Sequence, residues 1–322
     1  MDDWRPHATL TTLRARARCL AVIRSFFGER GLLEVETPQL SIAAATDPAL
    51  ASLATRWPGP DGTARWLHTS PEFPMKRLLA AGSGDIWQLA RVFRDGERGR
   101  RHHPEFTLLE WYRLGWDHHR LMDEVTDLVT KLLDGHTLAA VEKLTYREAF
   151  IAHAGLDPFI VEPGAWHAAV KRHDIDCTDL DDTDIDGWRD LLLTHVVEPH
   201  LGQGRLTLIH DYPASQAALA RVRTGDPSLA ERFELYWQGV ELANGYHELT
   251  DAAEQRRRVE DDLVQRRELG LPEVLPDARF LAALDAGLPD CAGVALGVDR
   301  LLMLALGLPS LDDVLAFPIE RA

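Results

Sequence analysis

The chain has 322 residues, enough for two average domains or for one enzyme core with insertions. Its 35 Lys+Arg stand against 51 Asp+Glu, a formal charge of −16 at pH 7, which disfavours a large nucleic-acid footprint because such footprints are built by neutralising phosphates with cationic side chains. Hydrophobic residues at 45% exclude a disordered chain, no apolar run of about 18 residues occurs, and the opening MDDWRPHATL lacks the apolar core of a signal peptide, so a cytoplasmic protein without membrane spans is expected.

Leu13, Ala17, Leu20, Ile23 and Phe27 recur at helical spacing, so residues 10–30 read as an amphipathic helix that Gly31 stops. In LLEVETP at 32–38, Leu33, Val35 and Thr37 alternate with Leu32, Glu34 and Glu36, as in a half-buried strand closed by Pro38. Beyond a Gly/Pro-rich loop at 57–62, WLHT reads as a short strand and Ser70-Pro71-Glu72 as a helix start, with Pro71 near the first helical position. IWQLARVF (86–93) and EFTLLEWYR (105–113) flank the polar RDGERGRRHHP, which predicts a hairpin with a long charged tip. Period two on its second strand places Phe106, Leu108, Glu110 and Tyr112 on one face and Glu105, Thr107, Leu109 and Trp111 on the other.

A further amphipathic helix is expected at 119–134, followed by an Asp-rich stretch, about 135–205, that reads as a helical insertion. LTLIH (206–210) returns to strand character, and ERFELYWQG (231–239) with VELANGYHEL (240–249) forms a second hairpin about Gly239. Residues 251–268 make a charged helix, and GVALGVDRLLMLALG is a glycine-bearing segment leading into an apolar helix. With no internal repeat and no low-complexity linker, the expected architecture is one α+β domain over 1–322 with an insertion, rather than two independent domains.

Chemistry concentrates in a few places. FRDGERGRRHHPEF gathers Arg94, Arg98, Arg100, Arg101, His102 and His103 in an otherwise acidic chain: either a solvated loop tip or a phosphate site, since the planar guanidinium fork matches two phosphate oxygens. GVALGVDR offers backbone N–H groups and Arg300 one turn into a helix, a sound anion site, but it is neither GxxxxGK[ST] nor GxGxxG. Glu234 and Glu241 lie on either side of Gly239, so the turn either brings two carboxylates together for Mg²⁺ or leaves both at an exposed strand edge. Glu110 and Glu248 sit beside aromatics, where the plain reading is a buried carboxylate satisfied by backbone donors. Cys19, Cys177 and Cys291 are far apart, and with the fourteen histidines they show no CxxC or HExxH spacing, which argues against disulfides and zinc; no GxSxG elbow is present either.

Taken in order, the first helix with EVETP, then FRD…RHHPEFTLLEWY, then GVALGVDR resemble motifs 1, 2 and 3 of the class II aminoacyl-tRNA synthetases. TSPE (69–72), PEFTLLEWY (104–112) and ERFELYWQGVELANGYHELTD (231–251) resemble the lysyl branch, and the likeness runs from about residue 10 to the C-terminus. Only about ten residues precede motif 1, so the N-terminal OB-fold with which that branch grips the anticodon is expected to be missing. That feature, the charge of −16 and PASQAALA (213–220) resemble the truncated paralogues that join (R)-β-lysine to a lysine of translation elongation factor P. The implied fold is a class II catalytic core, an antiparallel sheet flanked by helices.

The resemblance implies ATP and Mg²⁺ as cofactors, with ATP bent over the sheet. Arg94 meets the α-phosphate and Arg300 the terminal phosphate, and these two are the expected catalytic residues. Phe106 stacks on adenine, Glu97, His102 and His103 belong to the closing loop, Leu235 and Gly297 line the nucleotide, and Glu234 and Glu241 hold Mg²⁺. The amino acid meets Ser70 and Glu72 near its amino group and Tyr112, Glu241, Asn244 and Glu248 further along the chain. Ala295, where the synthetases carry glycine, trims that pocket. Expected partners are lysine or β-lysine and elongation factor P, with no stable tRNA binding and no membrane. A homodimer is expected through motif 1, whose apolar face (13–27, with Leu33 and Val35) otherwise serves as ordinary core.

Two positions depart from motif 2: Gly96 stands where the motif carries Glu, with Glu97 one place later, and His103 replaces the usual Asn before Pro104. Three alternatives remain. A free amino-acid ligase like the asparagine-forming paralogue is disfavoured by ELANGYHELTD, and a synthetase still charging tRNA by the acidity. A catalytically silent relative is supported by Gly96 and opposed by Arg94, Glu234, Glu241 and Arg300.

Overall fold

The computed structural model describes residues 4–57, 59–160, 162–177 and 180–322. In chain order it contains α1 (Leu10–Glu29), β1 (Leu33–Glu34), β2 (Leu40–Ser41), β3 (Trp66–Leu67), α2 (Glu72–Ala80), β4 (Ile86–Phe93), β5 (Glu105–Leu114) and α3 (His118–Leu132). There follow β6 (Glu142–Thr145), α4 (Tyr146–His153), α5 (Pro163–Arg172), α6 (Ile185–Leu192), β7 (Thr207–Pro213), β8 (Val222–Arg223), β9 (Leu229–Trp237) and β10 (Val240–His247). The chain closes with α7 (Ala252–Glu268), α8 (Ala278–Gly287), β11 (Cys291–Gly297) and α9 (Val298–Ala305). The long helices and the β4–β5 and β9–β10 pairs fall where period and breakers put them, and the stretch at 135–205 carries α4, α5 and α6 after the strand β6 at its start.

The chain divides into two compact units: Met1–Trp116 with Thr130–Leu133 and Leu249–Ala322, and Asp117–Val129 with Asp134–Glu248. In the first, β4 and β5 form the predicted antiparallel hairpin, with Phe93 opposite Glu105 and Ile86 opposite Tyr112. β11 adds antiparallel to β5, placing Ala295 opposite Glu110 and Gly297 opposite Leu108. Met75 and Leu79 of α2 pack with Ile86, Tyr112, Cys291 and α8, where Phe73 stacks on Phe280 at 4.5 Å. On α1, Phe27 lies between Trp87 (4.9 Å) and Trp111 (5.2 Å).

α1 starts at Thr9, whose hydroxyl accepts from the Thr12 N–H at 3.1 Å. Of its predicted apolar face, Ile23 and Phe27 are buried, Leu13 and Leu20 only half-buried, and Ala17 exposed. Arg16, from the same helix, pairs with buried Asp299 of α9 and donates to Thr107 Oγ1 at 2.6 Å, while the Thr107 N–H donates to Asp299 at 2.6 Å. One buried carboxylate thereby joins α1, β5 and α9.

One expectation is corrected in part. The strand at 32–38 is only two residues long and its phase departs at the start, where Leu32 is buried and Leu33 is 55% exposed, while Val35 and Thr37 are half-buried and Glu34 and Glu36 exposed as expected. Its pairing continues for one further bond, Val35 N–H to Trp87 O at 2.9 Å, before Pro38 ends it. Most strand pairs are antiparallel, as expected, and two are parallel: β1 runs parallel to β4, and β6 parallel to β7. Each parallel pair is joined by a long crossover carrying helices, which a parallel connection requires.

In the second unit, β7 and β10 flank β9 antiparallel, and β8 pairs with β9 as well. The β9–β10 turn is Gln238-Gly239, both with positive φ (53° and 68°), the mirror-image turn that suits the strands' twist. α4, α5 and α6 cover one side with Tyr146, Phe150, Trp166, Trp188 and Leu192, packed against Ile209, Tyr212 and Tyr236.

Candidate active site

Arg94 begins the long tip of the β4–β5 hairpin. Its N–H donates to Pro104 O at 3.0 Å, its guanidinium lies 5.1 Å from the Phe106 ring centroid, and one arm reaches Glu97 Oε1 at 3.4 Å. Its Nε–H is buried with no hydrogen-bond partner among the described residues, a donor that a folded protein seldom leaves unmet. Gly96 holds φ +76°, the left-handed conformation that glycine adopts without strain, and the turn it makes directs Glu97 back toward Arg94. The departure at Gly96 is therefore a backbone requirement, and Glu97 is the carboxylate next to the motif 2 arginine.

Arg300, one turn into α9, meets this loop. Its Nη2 donates to His102 Nε2 at 2.8 Å and its Nε to Arg101 O at 3.2 Å. Burial, and next the Arg300 charge, hold the His102 ring below its ordinary value, so it is neutral at pH 7 and accepts. The loop cations thus lie near one another, and His103 is engaged differently. His103 is buried, its Nδ1–H donates to Glu105 O at 2.5 Å, and its Nε2 accepts from the Ile319 N–H at 2.9 Å, so neither ring nitrogen remains for a nucleotide. It fixes the loop. Arg98 does the same from the exposed side, paired to Asp312 (2.7 Å) and Glu320 (2.6 Å). Gly297 has an ordinary φ of −76°, so its use is a small side chain rather than an unusual backbone.

The expected amino-acid residues of the first unit centre on a carboxylate that sequence reasoning left as a generic buried acid. Ser70 donates to Glu110 Oε2 at 2.7 Å and Tyr112 to Glu110 Oε1 at 2.6 Å, and Glu110 is only 2% exposed. The signal was the period of two that put Glu110 and Tyr112 on one strand face. Across the ladder stands Ala295, which packs with Phe106 and Leu108. Glu72 is engaged within its own helix: its Oε1 lies 2.6 Å from the buried Lys76 ammonium, and its N–H donates to Ser70 Oγ at 3.0 Å. Pro71 precedes α2 at its cap rather than inside it.

In the second unit, Glu234 and Glu241 are not opposed across the hairpin: Glu234 faces Asn244, and Glu241 faces Tyr236. Glu234 is buried. Arg232 donates to its Oε1 at 2.5 Å, and the phenols of Tyr212 (2.7 Å) and Tyr236 (2.5 Å) both donate to Oε2. A carboxylate offers about two lone pairs per oxygen, so among the described residues Oε2 is saturated and Oε1 keeps one acceptor direction. Burial, and next the Glu234 charge, push both phenols up, so they remain donors. Leu235 is buried and pairs with Ala243. Asn244 Oδ1 is buried with no partner among the described residues, an acceptor awaiting a donor. Glu248 is buried in an isolated antiparallel bridge to Ala220, of the PASQAALA block.

The family model described as tRNA synthetases class II (D, K and N) matches residues 2–321. Among curated proteins, the chain is 50% identical to the "Elongation factor P--(R)-beta-lysine ligase" of Yersinia enterocolitica over 325 residues, covering 99% of this chain and 98% of that protein. It is 51% identical to the protein of the same name from Salmonella gallinarum over 324 residues, with the same coverage. The Proteus mirabilis protein of that name is 50% identical, also over 99% of this chain. With the motif 2 hairpin, the motif 3 strand and helix, and a match over nearly the whole length, the chain belongs to the class II tRNA synthetase family of the D, K and N type.

Proposed function

We propose that this protein is an ATP-dependent ligase that activates (R)-β-lysine or lysine as an acyl-adenylate and transfers it to the ε-amino group of a lysine on translation elongation factor P. It acts in the cytoplasm, with residues 1–322 serving as one catalytic domain. The observation that carries the reading is the buried, unmet Nε–H of Arg94 in a loop where Arg300 also converges: a phosphate oxygen completes it. Asn244 Oδ1 gives matching support as an acceptor for a substrate ammonium.

Arg94 binds the α-phosphate and Arg300 the terminal phosphate, Phe106 supplies a face for adenine, and Glu97 and His102 keep the two guanidinium groups apart and oriented. Mg²⁺ supplies charge neutralisation on the phosphates. Glu241 and the remaining Oε1 direction of Glu234 fit it. Glu110 orients Ser70 and Tyr112 toward the amino acid, Glu248 and Asn244 take its amino end, and the Ala295 methyl group shortens the pocket.

The substrate carboxylate is already ionised, so no protein nucleophile is needed. It attacks the α-phosphorus in line, the bond to pyrophosphate breaks, and the two arginines offset the charge that develops. The acceptor lysine, as the free amine, then attacks the acyl carbon; AMP leaves with the bonding pair, and the proton passes to solvent.

The half-buried Leu13 and Leu20 with exposed Leu33 support a homodimer through motif 1, and light scattering is expected to return twice the 36.1 kDa chain mass. The decisive assay is ATP–pyrophosphate exchange with α-lysine and both β-lysine enantiomers, followed by transfer to elongation factor P or tRNA. Exchange with a lysine isomer and transfer to the protein are expected. No exchange with any of them sinks the enzymatic reading, and transfer to tRNA sinks the choice of acceptor.

A further inference from the structure

The start of α3 and strands β9 and β10 bring His118, Glu231 and His247 together, one donor atom from each lying within 4.8 Å of the other two. Glu231 and His247 join across the ladder, with Nδ1 2.6 Å from Oε2. His118 is 1% exposed, and among the described residues neither of its ring nitrogens has a hydrogen-bond partner. A buried imidazole in that state forfeits the bonds it makes to water, which costs stability unless something else takes its lone pair.

We propose that His118, Glu231 and His247 form a binding site for a zinc-class divalent cation, with a water in the fourth position. Two imidazoles and one carboxylate suit Zn²⁺ and its first-row neighbours, whereas Mg²⁺ and Ca²⁺ take oxygen ligands. Bonds of about 2.0–2.1 Å at tetrahedral angles set donors about 3.3 Å apart, so side-chain rotation must close the widest separation by up to about 1.5 Å and open the Glu231–His247 contact, now 2.6 Å, by about 0.7 Å. Asp211 Oδ1 stands 4.0 Å from His118 Nε2, placed to become the carboxylate that backs a metal-bound imidazole.

The neighbouring charge opposing the ion is Arg223, 2.6 Å from Asp211 and 3.9 Å from Glu231; its side chain is 41% exposed and has room to turn to solvent. The three ligands are far apart in sequence, which is why no metal-ligand spacing announces them. The proposal does not rest on the ligase reading.

Protein stripped with EDTA is titrated with Co²⁺ and Zn²⁺ in the absence of ATP. The expected result is the strong visible absorption of four-coordinate Co²⁺, displaced by zinc, with about one zinc per chain retained on gel filtration. His118→Gln, with wild-type circular dichroism and exchange activity, is expected to weaken zinc at least about 100-fold, as is Glu231→Gln. No absorption band in the wild type, or undiminished affinity in His118→Gln, overturns the proposal. Should both variants misfold, carbethoxylation of wild-type His247 read by mass spectrometry decides: zinc protection upholds the site, and equal labelling refutes it.

Discussion

Asp299 is 2% exposed and holds both the Arg16 guanidinium and the Thr107 N–H, so its replacement removes a charge that two partners need. Asp299→Ala is expected to cost about 3–5 kcal/mol, because it leaves a half-buried cation and a buried N–H unmet. Urea unfolding of the variant measures it. His102 gives a pH prediction. Its ordinary value is 6.5 and the folded value lies below that, so the unfolded chain takes the proton first; the stabilising contact is present above pH 6.5 and is lost as pH falls through that range toward the folded value. Exchange activity should therefore show an acidic limb below pH 6.5 that His102→Gln flattens. Arg94, Arg300 and Asn244 can be singled out in the sequence because they stand in motifs. Glu110 and His103 were placed less well, since whether a polar side chain faces a ligand or ties down a loop is decided by partners distant in sequence, here Ser70 and Ile319.

Elements were read more securely than residues. The β4–β5 hairpin matches its expected limits because apolar alternation ends abruptly at Phe93 and resumes at Glu105. The strand after α1 was overestimated, since alternation in LLEVETP reports only that side chains take opposite sides, while pairing depends on how much of β4 is left to receive it. At the β9–β10 turn the glycine has two constraints. Gly239 holds φ +68°, and a Cβ there would stand 3.2 Å from Glu198 O and 3.3 Å from Pro199 Cα. Gly239→Ala is expected to destabilise by about 1–3 kcal/mol through left-handed strain and crowding. A lowered urea midpoint with an unchanged slope tests it. Because Glu234 and Glu241 flank this turn, the same variant should raise the KM for ATP.

Over the whole molecule, the formal charge of −16 bears on association. A basic acceptor protein should be steered to this surface, so its on-rate should fall steeply as salt rises through the range where screening shortens to about 10 Å. Stopped-flow binding over an ionic-strength series checks this, and a flat response removes charge from the account of acceptor choice. The two-unit division was the part least visible in sequence, because the second unit is assembled from α3 and residues beyond it, with the chain crossing back to the first at 130–133. Composition carries no mark of such an exchange.

The last residues of the chain are fastened to the motif 2 loop: Leu311 N–H donates to Arg100 O at 2.9 Å, Ile319 N–H to His103, and Glu320 grips Arg98. For anyone producing this protein the consequence is practical. An affinity tag fused after Ala322 pulls on the same backbone that braces the nucleotide loop, and carboxypeptidase trimming past Ile319 unlatches it. Both should lower exchange activity at limiting ATP.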